Sequence, residues 1–183
     1  MPNQLSGLAA DGRLVSELQL LTMWLARVPI RYRPPPLASR LLMTSENLSI
    51  LITDDDRGLR ETLAGVLQPQ GFRTILAGDG EEALEIVRRE PVHLLLVDMH
   101  MPKLTGLETV EQVRRIRMPL PCILMSADAD QALVEQALAA QVFSVLSKPI
   151  SRLRITATVR MALQATYDWA NLGRNRFGEQ GTV

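Results

Sequence analysis

The residues of this sequence that could do chemistry together stand at the ends of apolar runs. Asp54 and Asp55 follow the run LSILIT, Asp98 closes LLLVD, Ser126 closes CILMS, and Lys148 follows VFSVLS. A carboxylate nucleophile, further carboxylates for a metal ion, a hydroxyl and an ammonium group are the parts that phosphoryl transfer to an aspartate requires. That chemistry needs all five side chains in one place, so the elements that carry them must be considered next.

From residue 48 onward the chain alternates between short apolar runs and segments of helical periodicity. The predicted strands are LSILIT, FRTILA, VHLLLV, CILMS and VFSVLS. Helices are predicted over 56–68, 81–90, 106–117 and 130–140, and after Pro149, because each segment carries one apolar stripe at helical spacing. Strands that are apolar along their whole length indicate a parallel sheet covered on both faces. Right-handed crossovers then predict a doubly wound α/β fold with five strands, five helices and three α/β/α layers.

In such a sheet, ligands bind beyond the carboxyl ends of the strands, near the point where the strand order reverses. Asp54, Asp55 and Asp98 are therefore predicted to emerge at one edge, where Ser126 and Lys148 also arrive. Three carboxylates in a partly desolvated cleft repel one another, and a hard divalent cation such as Mg²⁺ relieves that repulsion. Mg²⁺ typically combines a few carboxylates with phosphate oxygens, so the metal and a phosphate group are linked predictions.

Each of these signals also has a plainer structural interpretation. The turn TDDDRG could cap the first helix through Asp55 or Asp56. Lys148 could be a solvated surface lysine, and Ser126 could open a capping turn before the fourth helix. The order of the four strand ends, rather than any one residue, favours the functional interpretation.

Residues 48–167 resemble the receiver domains of two-component response regulators. ILITDDDRGLRETL is similar to the family's first strand, acidic pair and first helix, and LLLVDMHMPKLTGLE is similar to its phosphoacceptor segment. CILMSADAD resembles the strand that ends in the phosphoryl-contacting Ser or Thr, and LSKP resembles the Lys-Pro element. The resemblance implies a flavodoxin-like strand order, 2-1-3-4-5.

The resemblance also implies how the acidic residues are used. Asp98 would accept a phosphoryl group from the phosphohistidine of a histidine kinase or phosphotransfer protein. Mg²⁺ would be held by Asp54, Asp55, Asp98 and the backbone carbonyl of His100. The acids are thus expected to form both the reactive group and the metal site.

The remaining polar residues take supporting roles by the same resemblance. Lys148, joined to Pro149 by a cis peptide bond, would pair with the phosphoryl oxygens, and Ser126 would move to hydrogen-bond them. The positions two beyond the phosphoacceptor and two beyond the serine influence the lifetime of the phosphoryl group in this family. Here they are His100 and Asp128, and His100 is either a catalytic group or a solvent-facing loop residue.

One position departs from the family pattern. Val145 stands where the family usually has an aromatic switch residue, and Phe143 is predicted two residues earlier on the same side of the strand. Coupling between Ser126 and an aromatic rotamer would then be absent. Signalling would use the backbone of the loop after Ser126, or switching would be weak.

These observations predict a stand-alone phosphorylation-dependent switch that catalyses only its own Mg²⁺-dependent phosphorylation and dephosphorylation. Its output is expected to be protein binding, or a homodimer, through the fourth helix, fifth strand and fifth helix. There, Arg152, Arg154 and Arg160 either pair with acidic partner residues or form a solvated face. The alternative is a non-phosphorylated interaction module with the same fold. A haloacid-type phosphatase is disfavoured because it needs an acid where His100 stands.

Two segments flank the predicted receiver domain, 1–47 and 168–183. The first predicts a proline-rich extended linker at RYRPPPLASR, preceded by a short amphipathic helix. The apolar positions of that helix are Leu14, Leu18, Leu21, Leu25 and Val28. A disordered extension is the alternative, and translation could also begin at Met43. The C-terminal tail shows no nucleic-acid-binding motif, so no direct contact with nucleic acid is expected.

The composition of the chain bears on nucleic-acid binding, membrane association and cellular location. Twenty basic and twenty acidic residues cancel, so no global field draws the protein to nucleic acid or to an anionic membrane. The most apolar long stretch, 14–28, is too short and too polar to span a bilayer, and the N-terminus lacks a secretory pattern. The single cysteine, Cys122, fits a core position in a reducing compartment. We therefore expect a cytoplasmic protein.

Overall fold

The computed structural model describes residues 48–167. The strands are β1 (Ser49–Thr53), β2 (Arg73–Ala77), β3 (Leu94–Asp98), β4 (Cys122–Ser126) and β5 (Ser144–Ser147). The helices are α1 (Arg57–Leu67), α2 (Gly80–Arg89), α3 (Gly106–Ile116), α4 (Gln131–Ala139) and α5 (Arg152–Tyr167), and a 3-10 turn, Gln68–Gln70, follows α1. The predicted N-terminal helix, the proline-rich linker, the alternative start at Met43 and the C-terminal tail lie outside the described residues.

The five strands form one parallel sheet in the order β2-β1-β3-β4-β5. β2 is added on one side of β1, and β3, β4 and β5 are added in turn on the other side. The strand order therefore reverses between β1 and β3. The predicted doubly wound fold with order 2-1-3-4-5 is confirmed.

Two apolar clusters, one on each face of the sheet, make up the core. On one face, alternate strand residues such as Leu51, Leu95 and Leu124 pack under α2, α3 and α4. On the other face, their neighbours, including Ile52 and Leu96, pack under α1 and α5. Since successive side chains of a strand point to opposite faces, apolar residues at every position are what a sheet covered on both faces requires.

Four strands begin one or two residues later than the sequence predicts. The residues just before them, Leu48, Phe72, Val92 and Val142, are nevertheless buried. They fill the core without belonging to the regular strand, so their apolar character made the predicted strands too long. The exception, β4, has the predicted bounds. The edge strand β2 also differs from the expectation of full burial, because most of its residues are partly or fully exposed.

Polar side chains define where the helices begin. Asp56 caps α1 by accepting hydrogen bonds from the backbone N–H groups of Gly58 and Leu59. Asp79 and Asp130 cap α2 and α4 in the same way, and Thr105 forms a reciprocal capping box with a glutamate at the start of α3. Each cap satisfies a backbone donor that has no partner within the helix. The first, second and fourth of these helices therefore start at the carboxyl ends of β1, β2 and β4, each through an aspartate.

The predicted placement of Phe143 and Val145 on one side of a strand is wrong. Phe143 packs in the cluster under α1 and α5, whereas Val145 packs in the cluster under α2, α3 and α4. Phe143 lies in the bend before β5, where the two-residue alternation of a strand does not apply. Phe143 therefore does not stand in for the aromatic residue that the family usually places at Val145.

Candidate functional site

The register of the sheet brings the predicted site residues to one edge. Thr53, at the end of β1, is paired with Val97 of β3, so Asp54 and Asp98 follow side by side. The ends of β4 and β5 are level in the same way, which places the residue after β5 beside the end of β4. The carboxyl edge at the switch in strand order is thus where the predicted residues meet.

Lys148 joins two of the acids directly. Its ammonium Nζ lies 2.9 Å from Asp54 Oδ2 and 2.6 Å from Asp98 Oδ1. Both carboxylates are buried, with Asp54 1% and Asp98 4% exposed, while a quarter of the lysine side chain remains accessible. Burial alone lowers the pKa of Lys148, but hydrogen bonds and charge attraction from Asp98 and Asp54 outweigh it and leave that pKa above its ordinary value. The interpretation of Lys148 as a solvated surface lysine is therefore wrong.

Asp55 completes a group of carboxylates that could hold a metal ion. One oxygen each from Asp54, Asp55 and Asp98 lie within 4.8 Å of one another, and Asp55 is exposed at the mouth of the site. The cap of α1 is Asp56, not Asp55, so Asp55 is not used in starting the helix. Three closely spaced carboxylate oxygens with one open side suit a hard cation such as Mg²⁺, which keeps several waters.

The loop after β3 turns back on the buried carboxylate. The backbone N–H of His100 donates to Asp98 Oδ2 over 2.8 Å, and the N–H of Gly106 donates to the carbonyl of Met99 over 3.0 Å. The ring of His100 is exposed, which agrees with the interpretation as a solvent-facing residue and leaves its backbone at the site. With Lys148 on one oxygen and His100 on the other, both oxygens of Asp98 accept hydrogen bonds or ion pairs.

Ser126 is buried at the end of β4, with its hydroxyl turned toward the following loop. Its Oγ accepts a hydrogen bond from the backbone N–H of Asp128 over 3.1 Å, and its carbonyl accepts one from the N–H of Lys148 over 2.7 Å. The side chain of Asp128 is exposed. The structure thus brings the loop after β4 and the loop after β5 together through one residue, and the Lys148–Pro149 peptide bond is cis, as predicted.

Val145 is almost fully buried, at 5% exposure, and is paired with Leu124 of β4. It packs with Leu133, Val134 and other residues under α4. A buried aliphatic residue has no exposed aromatic ring to rotate between an inward and an outward position. The predicted departure from the family pattern at Val145 therefore corresponds to a filled core position.

Two further residues contribute at this edge: Arg60, which the sequence did not identify, and Gly106, which the sequence matched to the family motif without giving it a physical role. Arg60 of α1 donates through Nη1 to the backbone carbonyl of Asp54. At Gly106, an added Cβ would collide with the carbonyl oxygen of Asp98 and lie 2.7 Å from Leu124 Cδ1, so only glycine fits beside the site. The motif resemblance includes this glycine, but no pattern distinguishes Arg60 from Arg57, which pairs with Glu61 at the surface.

Comparison with known proteins assigns this chain to a family. The sequence model described as the response regulator receiver domain matches residues 50–160. This chain belongs to the response regulator receiver domain family, a class of signalling switches in two-component systems.

Particular relatives share the matched region at moderate identity. Response regulator MprA of Mycobacterium leprae is 36% identical over 119 residues, which are 65% of this chain and 52% of the relative. The probable chemotaxis protein CheY of Rhizobium etli is 32% identical over 124 residues, which cover 66% of this chain and 96% of that protein. The chain spans about half the length, or less, of several of the relatives that it matches.

A solved structure supports the same fold. The response regulator TrrA from Thermotoga maritima, crystallised in complex with Mg(2+)-BeF, is 26% identical with a TM-score of 0.59. The match covers 63% of this chain and 99% of that chain. Within residues 48–167, no helix has both the length and the apolar character needed to cross a membrane.

Proposed function

We propose that this protein is a phosphorylation-dependent signalling switch in which Asp98 accepts the phosphoryl group. The observation that carries the proposal is the arrangement at the carboxyl edge of the sheet. There the buried Asp98 shares one lysine with Asp54 and lies within a cluster of three carboxylates. The domain boundaries 48–167, with flanking segments 1–47 and 168–183, are part of the same proposal.

In the reaction, a carboxylate oxygen of Asp98 attacks the phosphorus of a phosphohistidine on a histidine kinase or phosphotransfer protein. The new bond is an acyl phosphate, the phosphorus–nitrogen bond breaks, and the imidazole of the donor leaves with the bonding electrons. Lys148 already lies 2.6 Å from Asp98 Oδ1, so it can remain beside the added phosphoryl oxygens and offset their charge. The ionised form of the lysine is favoured here because its pKa is raised.

Asp54, Asp55, Asp98 and the backbone carbonyl of His100 would hold Mg²⁺. The cation would supply neutralisation of phosphoryl charge during transfer. The residues of the chain do the positioning: Asp54 Oδ1 accepts from the N–H of Asp56 over 2.9 Å, which fixes the acidic loop. The N–H of His100 orients Asp98 from the other side.

Phosphorylation would be sensed first at Ser126. Its hydroxyl now accepts from the N–H of Asp128, so a move toward the phosphoryl group would exchange that hydrogen bond for one that the hydroxyl donates. The loop that carries Asp128 would lose this hydrogen bond and could change its conformation. Because Val145 is buried in the core, we propose that this loop, and not an aromatic rotamer at β5, transmits the change. The side chains of His100 and Asp128, both exposed, would modulate access of water to the acyl phosphate.

The output surface that we propose is formed by α4, β5 and α5. On α5, Leu153 is 82% exposed and Met161 is 45% exposed, and Arg152, which precedes Leu153 in the chain, is exposed as well. Large exposed apolar side chains with a neighbouring cation suit a protein partner or a second copy of the chain. We propose no direct contact with nucleic acid or membrane, and a cytoplasmic location where kinase and switch can meet.

The test is phosphorylation by a small donor. The full chain is incubated with Mg²⁺ and acetyl phosphate, and intact mass is measured for the addition of one phosphoryl group. We expect an adduct in the wild type, none in Asp98→Asn, and an unchanged adduct in the matched control Asp130→Asn, where asparagine keeps the cap of α4. An adduct retained in Asp98→Asn would refute the nucleophile assignment. The absence of any adduct, with kinases or acetyl phosphate, would favour the non-phosphorylated interaction module.

A further inference from the structure

Lys103 is an unusual residue in the loop between β3 and α3. Its φ of 68° lies in the left-handed region, which residues other than glycine, asparagine and aspartate seldom adopt. Within residues 48–167 it shares a positive φ with one other non-glycine residue, Gln141. A lysine held in this conformation needs contacts that compensate for the conformational preference.

Those contacts are ion pairs with the start of α2. The ammonium Nζ of Lys103 lies 2.9 Å from Asp79 Oδ2 and 2.9 Å from Glu81 Oε2. Asp79 is also the cap of α2, since its Oδ1 accepts from the N–H of Glu82 over 2.8 Å. The two oxygens of Asp79 thus serve different partners, one in its own helix and one in the loop after β3.

Packing at the same place is close. A Cβ added to Gly80, the first residue of α2, would lie 2.9 Å from the Cβ of Leu104. Leu104 therefore rests directly on the backbone of α2, and its N–H donates to the carbonyl of Pro102 over 2.9 Å. Lys103 and Leu104 together anchor the loop to α2, one by charge and one by contact.

The anchored loop is the one that follows Asp98. It contains His100, whose N–H orients the Asp98 carboxylate and whose carbonyl is the proposed backbone ligand for Mg²⁺. Lys103 lies only three residues after His100 in the same loop. Its ion pairs are with Asp79 and Glu81, and not with the carboxylates of the metal cluster. Any influence on the metal must therefore act through the position of the loop or through its charge.

We infer that Lys103 is a positioning residue for the Mg²⁺ site: its ion pairs with Asp79 and Glu81 hold in place the β3–α3 loop that carries His100, the proposed backbone ligand. The inference rests on the proposed function of the carboxyl edge as a metal-binding phosphorylation site. Residues that do not bind the metal themselves commonly influence its affinity by orienting the residues that do.

If Lys103 acts by positioning the loop, its removal should weaken Mg²⁺ binding, and if it acts only through its charge, its removal should strengthen Mg²⁺ binding. Loss of a positive charge near an acidic cluster would strengthen the binding of a cation if only long-range attraction mattered. Loss of a positioning contact would weaken binding, because the loop must then be ordered at the expense of binding free energy. The sign of the change in Mg²⁺ affinity therefore separates the two explanations.

The experiment titrates Mg²⁺ alone into the full chain by isothermal titration calorimetry. Lys103→Asn is the main variant, because asparagine accepts the left-handed conformation but cannot reach both carboxylates. We expect Mg²⁺ affinity to fall about three- to fivefold, as suits an exposed ion-pair network. Lys103→Arg, which keeps the charge and the reach, should restore most of the affinity.

Arg73→Gln provides the matched control. Arg73 forms an ion pair of similar exposure with Glu90, 2.7 Å long, but on β2 rather than on the β3–α3 loop. The Mg²⁺ affinity of Arg73→Gln should equal that of the wild type. Unchanged or stronger binding in Lys103→Asn, or equal weakening in Arg73→Gln, would overturn the inference.

Hydrogen exchange without Mg²⁺ gives a second measurement. The N–H groups of Leu104 and Gly106, which bond to carbonyls within the loop, should exchange faster in Lys103→Asn than in the wild type. Exchange equal to that of the wild type would count against an anchoring role. If the wild type bound Mg²⁺ but formed no phosphoryl adduct, the proposed function would fail while the titration still tested Lys103.

Discussion

The two ends of the parallel sheet solve the burial of polar groups in different ways. At the carboxyl edge, Asp54 and Asp98 are buried as a pair around the ammonium of Lys148. At the amino edge, the half-buried His93 accepts a hydrogen bond at Nδ1 from the N–H of Ser49 over 3.0 Å. One end relies on opposite charges, and the other relies on a neutral ring.

Further contacts at the amino edge are consistent with a structural role. The ring of His93 packs edge-on against Tyr167 at a centroid distance of 5.9 Å, and the hydroxyl of Tyr167 donates to the carbonyl of Pro119 over 3.4 Å. Burial, and then the charge of Arg117, lower the pKa of His93, so the neutral form is favoured.

The comparison separates the proposed phosphorylation site at the carboxyl edge from a structural contact at the amino edge. A charge cluster with an exposed acid can admit a cation and a phosphoryl group, whereas a neutral ring that accepts one backbone hydrogen bond has a single role. Four substitutions test this difference: Lys148→Met, Gly106→Ala and Ser126→Ala at the carboxyl edge, and His93→Asn at the amino edge.

Lys148→Met should have the largest effect. It leaves two buried carboxylates facing each other, so we expect a loss of about 1 to 3 kcal/mol in unfolding free energy without Mg²⁺, less than for a fully buried pair because the lysine is partly accessible. Because the pKa of Lys148 is raised, its contribution is fully present at neutral pH and is lost only as the pH rises through that pKa. Urea unfolding with and without Mg²⁺ measures it, and Mg²⁺ should recover part of the loss. A stability unaffected by Mg²⁺ would contradict the charge-cluster description.

Gly106→Ala should have the next largest effect. The added methyl would collide with the Asp98 carbonyl and with Leu124, and overpacking of this kind typically costs about 1 to 3 kcal/mol. Gly65→Ala is the matched control, because a Cβ there meets nothing within 4 Å on the exposed face of α1. The control should gain up to about 1 kcal/mol in helix stability. Equal effects of the two changes in urea unfolding would disprove the crowding at Gly106.

His93→Asn tests the amino edge through pH. Since the pKa of His93 is lowered in the folded state, its stabilising contribution is present above the ordinary histidine pKa and is lost as the pH falls through the folded value. As the pH falls from about 7.5 through the ordinary histidine range, the wild type should lose more unfolding free energy than His93→Asn, whose side-chain oxygen can accept from Ser49 at any of these pH values.

The other histidine of the chain is the natural control for that measurement. His100→Asn makes the same change of residue at the opposite edge, where the side chain is exposed, and it leaves the contact between His93 and Ser49 in place. The contribution of His93 to the pH dependence of urea unfolding should therefore remain in this variant. A pH dependence that disappears in His100→Asn, or persists unchanged in His93→Asn, would show that His93 is not the titrating group.

Ser126→Ala should have the smallest effect on the unmodified protein. Its hydroxyl accepts from the N–H of Asp128, and Asp128 is an exposed residue, so water can replace the hydroxyl and we expect a loss of about 0.5 kcal/mol. The larger difference should appear after treatment with Mg²⁺ and acetyl phosphate, when the wild type and Ser126→Thr gain thermal stability and Ser126→Ala gains less. An equal gain in all three would remove Ser126 from the proposed sensing step.

Much of the fold and part of the site could be predicted because both follow from periodicity. Apolar residues at every strand position indicate a sheet covered on two faces, and the carboxyl-end rule then groups Asp54, Asp98 and Lys148. The roles of these residues in phosphorylation remain proposals, whereas their proximity is a property of the structure. Periodicity fails where the regular backbone stops, as at Phe143, which precedes β5 and packs on the opposite face from Val145.

Side-chain partners were the least predictable feature. Which cation bridges Asp54 and Asp98, and how Lys103 reaches Asp79, depend on distances between segments that are far apart in the chain. The choice between Asp55 and Asp56 as the cap of α1 is local, but both residues are aspartates, so residue type does not decide it. Charged surface side chains follow no periodic rule, so sequence reasoning treats Arg60 and Lys103 as ordinary solvated residues.

The sequence by itself determined the alternation of strands and helices, the class of fold and the chain positions that carry acids, hydroxyl and ammonium at strand ends. It could do so because burial of apolar side chains imposes a regular pattern on each element. Only the tertiary structure decided that Lys148 shares two buried carboxylates and that Val145 fills the core. Those outcomes depend on the register of parallel strands and on the packing of loops, which bring together atoms that no local pattern relates.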